Sequence, residues 1–315
     1  MPYLTLQQLH DDFIAECRYA MRLSPATLQN YQATFALFVK VMPDVNPACL
    51  TPETLTRFFR ELDTRERVSN RGRLMQGVKA TTIATYRAKL NPFFKWLKHK
   101  GHIAASPFEG IPYPKIVYDE PKYLRKAQLE KLITAVSFSI PWSSTFIQKR
   151  NLAIIMVLLY AGLRKSELLN LKLLDLDMVR GELKIDATTS KSKQHKTQPL
   201  NSLIRRKLAD YLEERRKKQY TTPFLFVADQ RDEPFSEQGL KHLLKRISQA
   251  SGVRFHAHQL RHTFAVNLIS SGSDISVVQK LMGHKSLTST LTYLRCIPSQ
   301  TMHQSVESLS WENLV

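Results

Sequence analysis

Cysteine and acidic residues are scarce in this sequence of 315 residues. The three cysteines, Cys17, Cys49 and Cys296, are odd in number and scattered, which argues against a disulfide framework and against a cysteine-rich zinc site. Aspartate and glutamate total 27 against 46 lysines and arginines, so the formal charge is +19. An excess of that size favours a polyanionic partner, of which nucleic acid is the commonest. The alternative is a soluble protein that is basic without such a partner.

Long apolar runs and glycine-rich phosphate loops are also missing. The longest apolar run, 152–163, has twelve residues and contains Tyr160, so it is too short to cross the roughly 30 Å hydrocarbon core of a bilayer as a helix. The first residues have neither the charged nor the apolar part of a secretory signal. Without a phosphate loop, nucleotide hydrolysis is not expected. We therefore expect a cytoplasmic, nucleoid-associated protein with no membrane partner.

Proline divides the chain. Four prolines interrupt helical periodicity within a short stretch: Pro107, Pro112, Pro114 and Pro121. They predict a linker over 111–121 between a first domain, 1–110, and a second domain, 122–296, which is followed by a C-terminal tail, 297–315.

Hydroxyl side chains followed by proline predict helices in the first domain. Ser24-Pro25 opens one helix and Thr51-Pro52 opens another, because the hydroxyl accepts from a free N–H of the first turn and proline fits that turn. A third helix is predicted over 81–100, where apolar residues recur at helical spacing. The first domain is therefore predicted to be a helical bundle.

Positive charge is concentrated between residues 65 and 100, where ten basic residues face one acid, Glu66, a net charge of +9. Solvated helix faces normally mix both signs, so the missing acids favour contact with phosphates. The residues predicted to bind DNA here and in a second basic segment, 191–196, are Arg65, Arg67, Arg71, Arg73, Lys79, Arg87, Lys89, Lys95, Lys193 and Lys196.

The second domain is predicted to be mainly helical with one small antiparallel sheet. In residues 178–185, apolar and polar side chains alternate around a turn at Gly181, and residues 197–200 supply the returning strand. Residues 191–196 form the basic tip of this hairpin. Helices are predicted in 124–133, 149–174, 203–218, 236–250, 258–271, 274–282 and 287–294.

One ordered set of residues in this domain carries chemistry. Its members are Arg164 and Glu167 in Gly162-Leu-Arg-Lys-Ser-Glu, His258 and Arg261 in His-Gln-Leu-Arg, His284 in Leu-Met-Gly-His, and Tyr293. The arginines can fork onto the nonbridging oxygens of a phosphodiester and stabilise its transition state. A tyrosine can attack phosphorus. His258 can take or return the phenolic proton, and His284 can donate to a phosphate oxygen.

Each of these residues has a commoner explanation when taken alone. Arg164 would be an exposed cation, His284 a helix cap and Tyr293 a half-buried aromatic; their occurrence together and in order favours an active site. His256, His258 and His262 also suggest zinc. The segment lacks the glutamate of His-Glu-x-x-His, however, and its arginine would repel a cation, so no metal is expected.

These motifs closely resemble those of the tyrosine recombinase family over most of the chain. The resemblance implies a catalytic set of Arg164, Lys191, His258, Arg261, His284 and the nucleophile Tyr293. Glu167, one helical turn after Arg164, is better placed to orient an arginine or histidine than to act as a base. Lys191, eight residues before Pro199, matches the family's hairpin lysine, which protonates the departing 5′ oxygen; Lys193 and Lys196 are its neighbours. Met282 is a neutral departure from the Leu-Gly-His box. The implied fold is a C-shaped clamp in which a core-binding helical bundle and a mostly helical catalytic domain close around duplex DNA.

The resemblance implies a site-specific DNA recombinase that forms a 3′-phosphotyrosyl intermediate with no metal, ATP or other cofactor. The implied partners are double-stranded DNA with paired inverted half-sites and further copies of the chain, as a dimer on each site and a tetramer in the synapse. A type IB topoisomerase and a catalytically silent DNA-binding protein are the alternatives. In the tail, Met302, Val306 and Leu309 fall at helical spacing, which predicts docking on a neighbouring copy or folding back on its own domain.

Overall fold

Helix dominates the computed structural model, which describes residues 4–68, 72, 74–114, 116, 122–187 and 195–296. The chain divides into two compact units, Met1–Tyr118 and Asp119–Val315, and each has its own apolar core. The predicted fold class, mainly helical with a small antiparallel sheet in the second half, is confirmed. The tail 297–315, with its predicted docking helix, lies outside the described residues. No helix among the described residues is long and apolar enough to span a membrane.

Capping hydroxyls start the first three helices. The helices of the first unit are α1 (Leu6–Tyr19), α2 (Pro25–Val41), α3 (Pro52–Thr64) and α4 (Ala80–His99). The Ser24 hydroxyl accepts from the Thr27 N–H at the start of α2, and the Thr51 hydroxyl accepts from the Thr54 N–H at the start of α3. Each helix has proline in its first turn. Thr5 caps α1. The helices predicted from these dipeptides are therefore confirmed.

Aromatic rings pack between α1, α2 and α4. The ring of His10 stacks on Phe35 with centroids 3.8 Å apart, and Phe93 meets it edge-on at 5.0 Å. Burial lowers the pKa of His10 to about 4, so this histidine is a neutral member of the core at neutral pH. Aromatic pairs of this kind add about 0.5–1.5 kcal/mol beyond the area that they bury. This packing fixes α4, the helix that carries several of the basic residues.

A short β-hairpin between α3 and α4 departs from the predicted all-helical bundle. Its strands β1 (Glu66–Val68) and β2 (Leu74–Gln76) are antiparallel, with Arg67 opposite Met75. Most of its described side chains are exposed, so the sequence shows none of the alternation that a half-buried strand produces. Gly77, which ends the hairpin at φ +65°, leaves no room for a Cβ beside the Asp63 carbonyl.

Arg87, predicted to contact DNA, makes several contacts within its own unit. Its guanidinium donates to the carbonyls of Ile111 at 2.6 Å and Pro112 at 2.7 Å. The same group lies over the rings of Phe108 and Tyr113, with its central carbon 4.9 and 5.0 Å from their centroids. Aromatic faces attract a flat guanidinium, which explains why this cation turns inward.

The other basic residues of this segment differ in how exposed they are. Lys79 and Lys95 are exposed, Arg65 is half-buried, Arg67 donates to the Gly77 carbonyl, and Lys89 donates to the Asn30 side chain. Arg71 and Arg73 lie outside the described residues.

Removing Arg71 and Arg73 should weaken the salt dependence of DNA binding, whereas removing Arg87 should not. Each lost phosphate contact lowers the slope of log affinity against log salt by about 0.9 on duplex DNA. Arg71→Gln and Arg73→Gln are each compared with Arg87→Gln, the matched control, which removes the same single charge but is expected to destabilise the unit instead. Titrations of duplex DNA at several salt concentrations measure the slope, and equal slopes for all variants would contradict the predicted phosphate contacts.

The second unit surrounds a buried central helix. Its helices are α5 (Lys126–Thr134), α6 (Thr145–Tyr160), α7 (Lys165–Leu169), α8 (Ser202–Lys217), α9 (Glu237–Ser251), α10 (Ala257–Ser270), α11 (Ile275–Met282) and α12 (Thr288–Leu291). A 3₁₀ segment, Thr292–Cys296, follows α12. Most of α6 is buried on all sides, which is why its sequence is an apolar run without amphipathic spacing.

The small sheet has three antiparallel strands in the order β3 (Leu176–Asp177), β4 (Glu182–Ile185) and β5 (Lys196–Pro199). Leu183 pairs with Gln198, and both side chains are buried. The predicted hairpin is thus confirmed, although β4 begins later than the predicted 178–185 strand. The hairpin tip, with Lys191 and Lys193, lies outside the described residues.

Candidate active site

Four segments distant in sequence meet at one place in the second unit. Arg164 is the N-cap residue of α7, and Arg261 lies in the second turn of α10. The end of α11 supplies the carbonyls of Met282 and Gly283, and Lys196 begins β5. The fold therefore brings three cationic side chains, Arg164, Arg261 and Lys196, to one place, where they bind neighbouring carbonyl and carboxylate groups.

Glu167 is the buried carboxylate that joins these cations. Its Oε1 accepts from Arg164 Nη1 at 2.7 Å and its Oε2 from the Arg164 backbone N–H at 2.9 Å. Lys196 Nζ and Arg261 Nη1 lie 3.4 and 3.8 Å from the same Oε2. Burial alone raises the pKa of this carboxyl, but Lys196 and the bonds from Arg164 outweigh it and hold the pKa below its usual value. One negative charge thus faces three positive ones, which leaves a site that attracts an anion.

Both guanidinium groups are held in fixed orientations. Arg261 is 1% exposed and donates from Nη1 to the Gly162 carbonyl at 2.6 Å and from Nη2 to the Met282 carbonyl. Arg164 Nη2 donates to the Gly283 carbonyl at 3.1 Å. Burial, with the charge of Arg164, lowers the pKa of Arg261 to about 10, so it stays charged at neutral pH. Each guanidinium has five N–H donors, more than these bonds use.

Gly162 turns the chain between α6 and α7 so that its carbonyl meets Arg261. Its φ of +58° lies in the left-handed region, and a Cβ at this position would overlap the ring of Phe264. Only glycine satisfies both conditions.

Gly162→Ala should destabilise the second unit far more than Gly252→Ala does. Both glycines have left-handed φ, +58° and +67°, but a Cβ at Gly252 meets nothing within 4 Å. The control should therefore cost only the backbone strain of about 1–2 kcal/mol, while Gly162→Ala adds about 1–3 kcal/mol of overpacking. Urea unfolding measures both, and equal losses would show that Phe264 does not restrict this position.

Lys196, predicted to contact DNA, lies inside the site. Its side chain is 9% exposed, and Nζ donates to the Leu281 carbonyl at 3.2 Å. Burial first, and the charges of Arg261 and Arg164 second, lower its pKa to about 8. Strand alternation was the available signal, because Lys196 shares the inward face of β5 with the buried Gln198.

Tyr293 and the imidazoles lie beside the cation cluster. The tyrosine is 3% exposed, and its Oη is 2.8 Å from Nδ1 of His262. The ring of His284 lies nearly parallel to the Tyr293 ring, with centroids 6.2 Å apart, and its Nδ1 is 3.0 Å from the Thr290 hydroxyl. His258 is exposed, and its ring centroid is 4.1 Å from that of His262.

The protonation of these groups follows from their surroundings. Burial raises the pKa of Tyr293, although Arg261 and Arg164 act in the opposite direction. Burial, together with neighbouring positive or titratable groups, lowers the pKa values of His262 and His284 to about 4. At neutral pH the site therefore holds a protonated phenol, two neutral imidazoles and a fixed cationic surface.

The described residues contain no group of three or more His, Cys, Asp or Glu side chains that could hold a metal ion. In the sequence, His262 was a candidate only for metal binding, and its contact with Tyr293 is seen only in the structure. Its position four residues after His258 and next to Arg261 was the available signal, because residues four apart share a helix face.

Two families of known proteins match the chain. The phage integrase family matches residues 122–298, and the phage integrase N-terminal SAM-like domain matches residues 11–101. Tyrosine recombinase XerD of Listeria innocua serovar 6a is 31% identical over 298 residues, which cover 91% of this chain and 94% of that protein.

Solved structures share the fold at lower identity. The integrase of transposon Tn1549 in complex with transposon right end DNA has a TM-score of 0.72 at 17% identity, over 97% of this chain and 99% of that one. A lambda integrase tetramer bound to a Holliday junction has a TM-score of 0.67 at 20% identity, over 90% of this chain and 79% of that one.

Proposed function

Because the chain belongs to the phage integrase family, the tyrosine recombinases, we propose that it exchanges DNA strands between specific sites through a covalent bond from Tyr293 to a 3′ phosphate. One observation carries this proposal. A phenol with two neutral imidazoles beside it lies next to two guanidinium groups that are already fixed by backbone carbonyls and Glu167. That arrangement suits an attack on phosphorus with no metal.

Arg164 and Arg261 would hold the nonbridging oxygens of the scissile phosphate. Their orientation is set before the DNA arrives, so little reorganisation accompanies the growth of charge in the five-coordinate transition state. Glu167 and Lys196 would keep this cationic surface in place. His284, whose Nδ1 is 3.0 Å from the Thr290 hydroxyl, would present its other ring nitrogen to a phosphate oxygen.

The strand-cutting step conserves the energy of the broken bond. Tyr293 Oη forms a bond to phosphorus while the bond from phosphorus to the 5′ oxygen breaks, and that oxygen takes up a proton. A 5′ hydroxyl, from the same strand or its exchange partner, then attacks the phosphotyrosyl ester and releases the tyrosine. Resealing therefore needs neither ATP nor a further cofactor.

We assign the proton of the leaving 5′ oxygen to Lys191, and expect Lys191→Ala to slow cleavage about 100-fold or more. DNA with sulfur in place of the 5′-bridging oxygen should restore much of that rate, because a thiolate leaves without protonation. Lys193→Ala and Lys196→Ala are the matched variants. The comparison matters since Lys196, with a pKa of about 8, is the lysine that the described residues place in the site. Rescue confined to Lys193→Ala or Lys196→Ala would move the acid to that residue.

We further propose a dimer on each pair of inverted half-sites and a tetramer when two sites meet. The tetrameric lambda integrase on a Holliday junction, whose fold this chain shares, supports this assembly. Sedimentation of the protein with one site, and then with paired sites, would measure the number of copies. A complex that stays monomeric on paired half-sites would contradict it.

The test of function uses DNA that is nicked close to the cleavage position. After cutting, the short fragment that carries the 5′ hydroxyl dissociates, so the strand cannot be resealed. We expect a covalent adduct on the nicked DNA that survives denaturation, and, on intact DNA, exchange between two sites on separate molecules. Relaxation of supercoiled DNA by single copies, with no exchange between sites, would contradict the recombinase assignment.

A further inference from the structure

The hydroxyl of Tyr293 is bound to a histidine that the catalytic set above does not include. We propose that His262 is the proton acceptor of the nucleophile: it holds the phenol in the resting site and takes its proton when the bond to phosphorus forms. This inference rests on the proposed function, because it assigns a role within the same reaction. From the sequence, His258 was expected to take this role.

The distance between Tyr293 and His262 suits direct proton transfer. Tyr293 Oη and His262 Nδ1 are 2.8 Å apart, within the reach that direct proton transfer requires. His258 lies one turn earlier on the same face of α10 and is exposed. It is therefore better placed to meet the DNA backbone than to receive the buried phenolic proton.

The backbone of His262 is fixed by its neighbours in α10. Arg261 is bound by the carbonyls of Gly162 and Met282, and Thr263 accepts from the Leu124 N–H at 2.9 Å. Leu260 is fully buried. With residues on both sides immobilised, His262 is held toward the segment Thr292–Cys296 that carries the tyrosine, and α10 packs against that segment. Helix α10 thus orients both Arg261, which would hold the phosphate, and His262, which binds the nucleophile Tyr293.

His262 is neutral before DNA binds and so has an unprotonated ring nitrogen that can accept a proton; a bound phosphate anion would raise its low pKa and strengthen it as a base. Burial lowers its pKa to about 4, with smaller effects from His258, His256, Arg261 and His284. It is therefore neutral at neutral pH, and in the tautomer that carries its proton on Nε2 the Nδ1 lone pair faces Tyr293 Oη. Burial raises the pKa of Tyr293, so the phenol keeps its proton until attack on phosphorus begins.

Over one cycle of cutting and resealing, each proton that is transferred is later returned. During cutting, Oη bonds to phosphorus, the phenolic proton moves to His262 Nδ1, the bond to the 5′ oxygen breaks, and the lysine acid protonates that oxygen. During resealing the 5′ hydroxyl gives its proton back to the lysine, and His262 returns its proton to Tyr293. No external acid, base or oxidant takes part.

The test combines His262→Asn with a fluorinated tyrosine at position 293. Asparagine can place an amide oxygen near the position of Nδ1 and so hold the phenol, but it cannot take a proton. Adduct formation on nicked DNA should fall about 100-fold or more, as for loss of other general bases. A di- or trifluorinated tyrosine ionises at lower pH and needs no acceptor, so it should recover most of that loss. DNA binding and thermal unfolding should change little, and His262→Gln provides a second variant if asparagine impairs folding.

His258→Asn is the matched control, since it changes the neighbouring imidazole on the same helix. Its defect should persist with the fluorinated tyrosine. Recovery in His258→Asn rather than in His262→Asn would make His258 the acceptor and overturn the inference. Normal cleavage by His262→Asn, or a loss that fluorination does not recover, would also overturn it. In those cases the wild-type protein still forms adducts and the proposed function stands, whereas a wild type without adducts would end both.

Discussion

Tyr293→Phe is expected to abolish covalent protein–DNA adducts while DNA binding stays near normal. The change removes only the hydroxyl, and the ring remains packed in a cluster that includes Phe264, Val278 and Met282. His262, which is half-buried, loses its hydrogen-bond partner, which should cost about 1 kcal/mol and leave the unit folded. Adducts on nicked DNA are measured on denaturing gels, and binding is measured by titration under the same salt conditions.

Tyr211→Phe is the control for this substitution. Tyr211 is fully buried in the same unit, and its hydroxyl donates to the Leu225 carbonyl at 3.0 Å. Its loss should lower stability by a similar amount and leave adduct formation per folded molecule unchanged. Adducts at normal yield in Tyr293→Phe would remove the tyrosine from the chemistry and end the proposed mechanism.

Arg261→Lys is the second substitution with a large expected effect. Lysine keeps the positive charge, but its single ammonium cannot bond the Gly162 and Met282 carbonyls and also fork onto two phosphate oxygens. Losing an oriented donor at developing charge commonly costs about 3 kcal/mol, so single-turnover cleavage should fall about 100-fold. Binding should fall much less, because other cations hold the DNA backbone.

Arg150→Lys separates catalysis from folding in this experiment. Arg150 is 6% exposed, donates to the Val227 carbonyl at 2.8 Å and lies over the Phe235 ring. Arg150→Lys should lower the stability of the unit about as much as Arg261→Lys does, but it should leave cleavage by the folded fraction intact. Parallel losses of affinity and cleavage in Arg261→Lys would make Arg261 an ordinary phosphate contact.

Local chemistry made much of the fold predictable. Capping hydroxyls before Pro25 and Pro52 identified two helix starts, and the apolar run 152–163 identified a buried helix, because each signal lies in adjacent residues. The hairpin between α3 and α4 gave no such signal. Its three-residue strands are largely exposed, so neither alternation nor burial marks them in the sequence.

The candidate site was predictable as a set of residues, and less so as a set of contacts. Motif order placed Arg164, Arg261 and Tyr293 in one domain. That Glu167 would also face Lys196 depends on the register of β5, and that His262 would meet Tyr293 depends on the packing of α10 against the last described segment. The contacts that Arg87 makes were not predictable for a related reason, because charge density along the chain does not indicate which aromatic rings lie against a cation.

The two arginines also serve as caps for helices, and this affects how such a protein decays when selection for its activity ends. Arg261 and Arg164 satisfy carbonyls just beyond α6 and at the end of α11, groups that a helix cannot bond by itself. A descendant that keeps the scaffold only to bind DNA would still need those guanidinium groups for folding. The Tyr293 hydroxyl and the His262 imidazole bond mainly each other, so they would be the first groups to be lost, while the Tyr293 ring remains part of a buried cluster. Retained arginines in a distant relative would therefore indicate an inherited fold, whereas a retained tyrosine hydroxyl, the proposed nucleophile, would indicate an active enzyme.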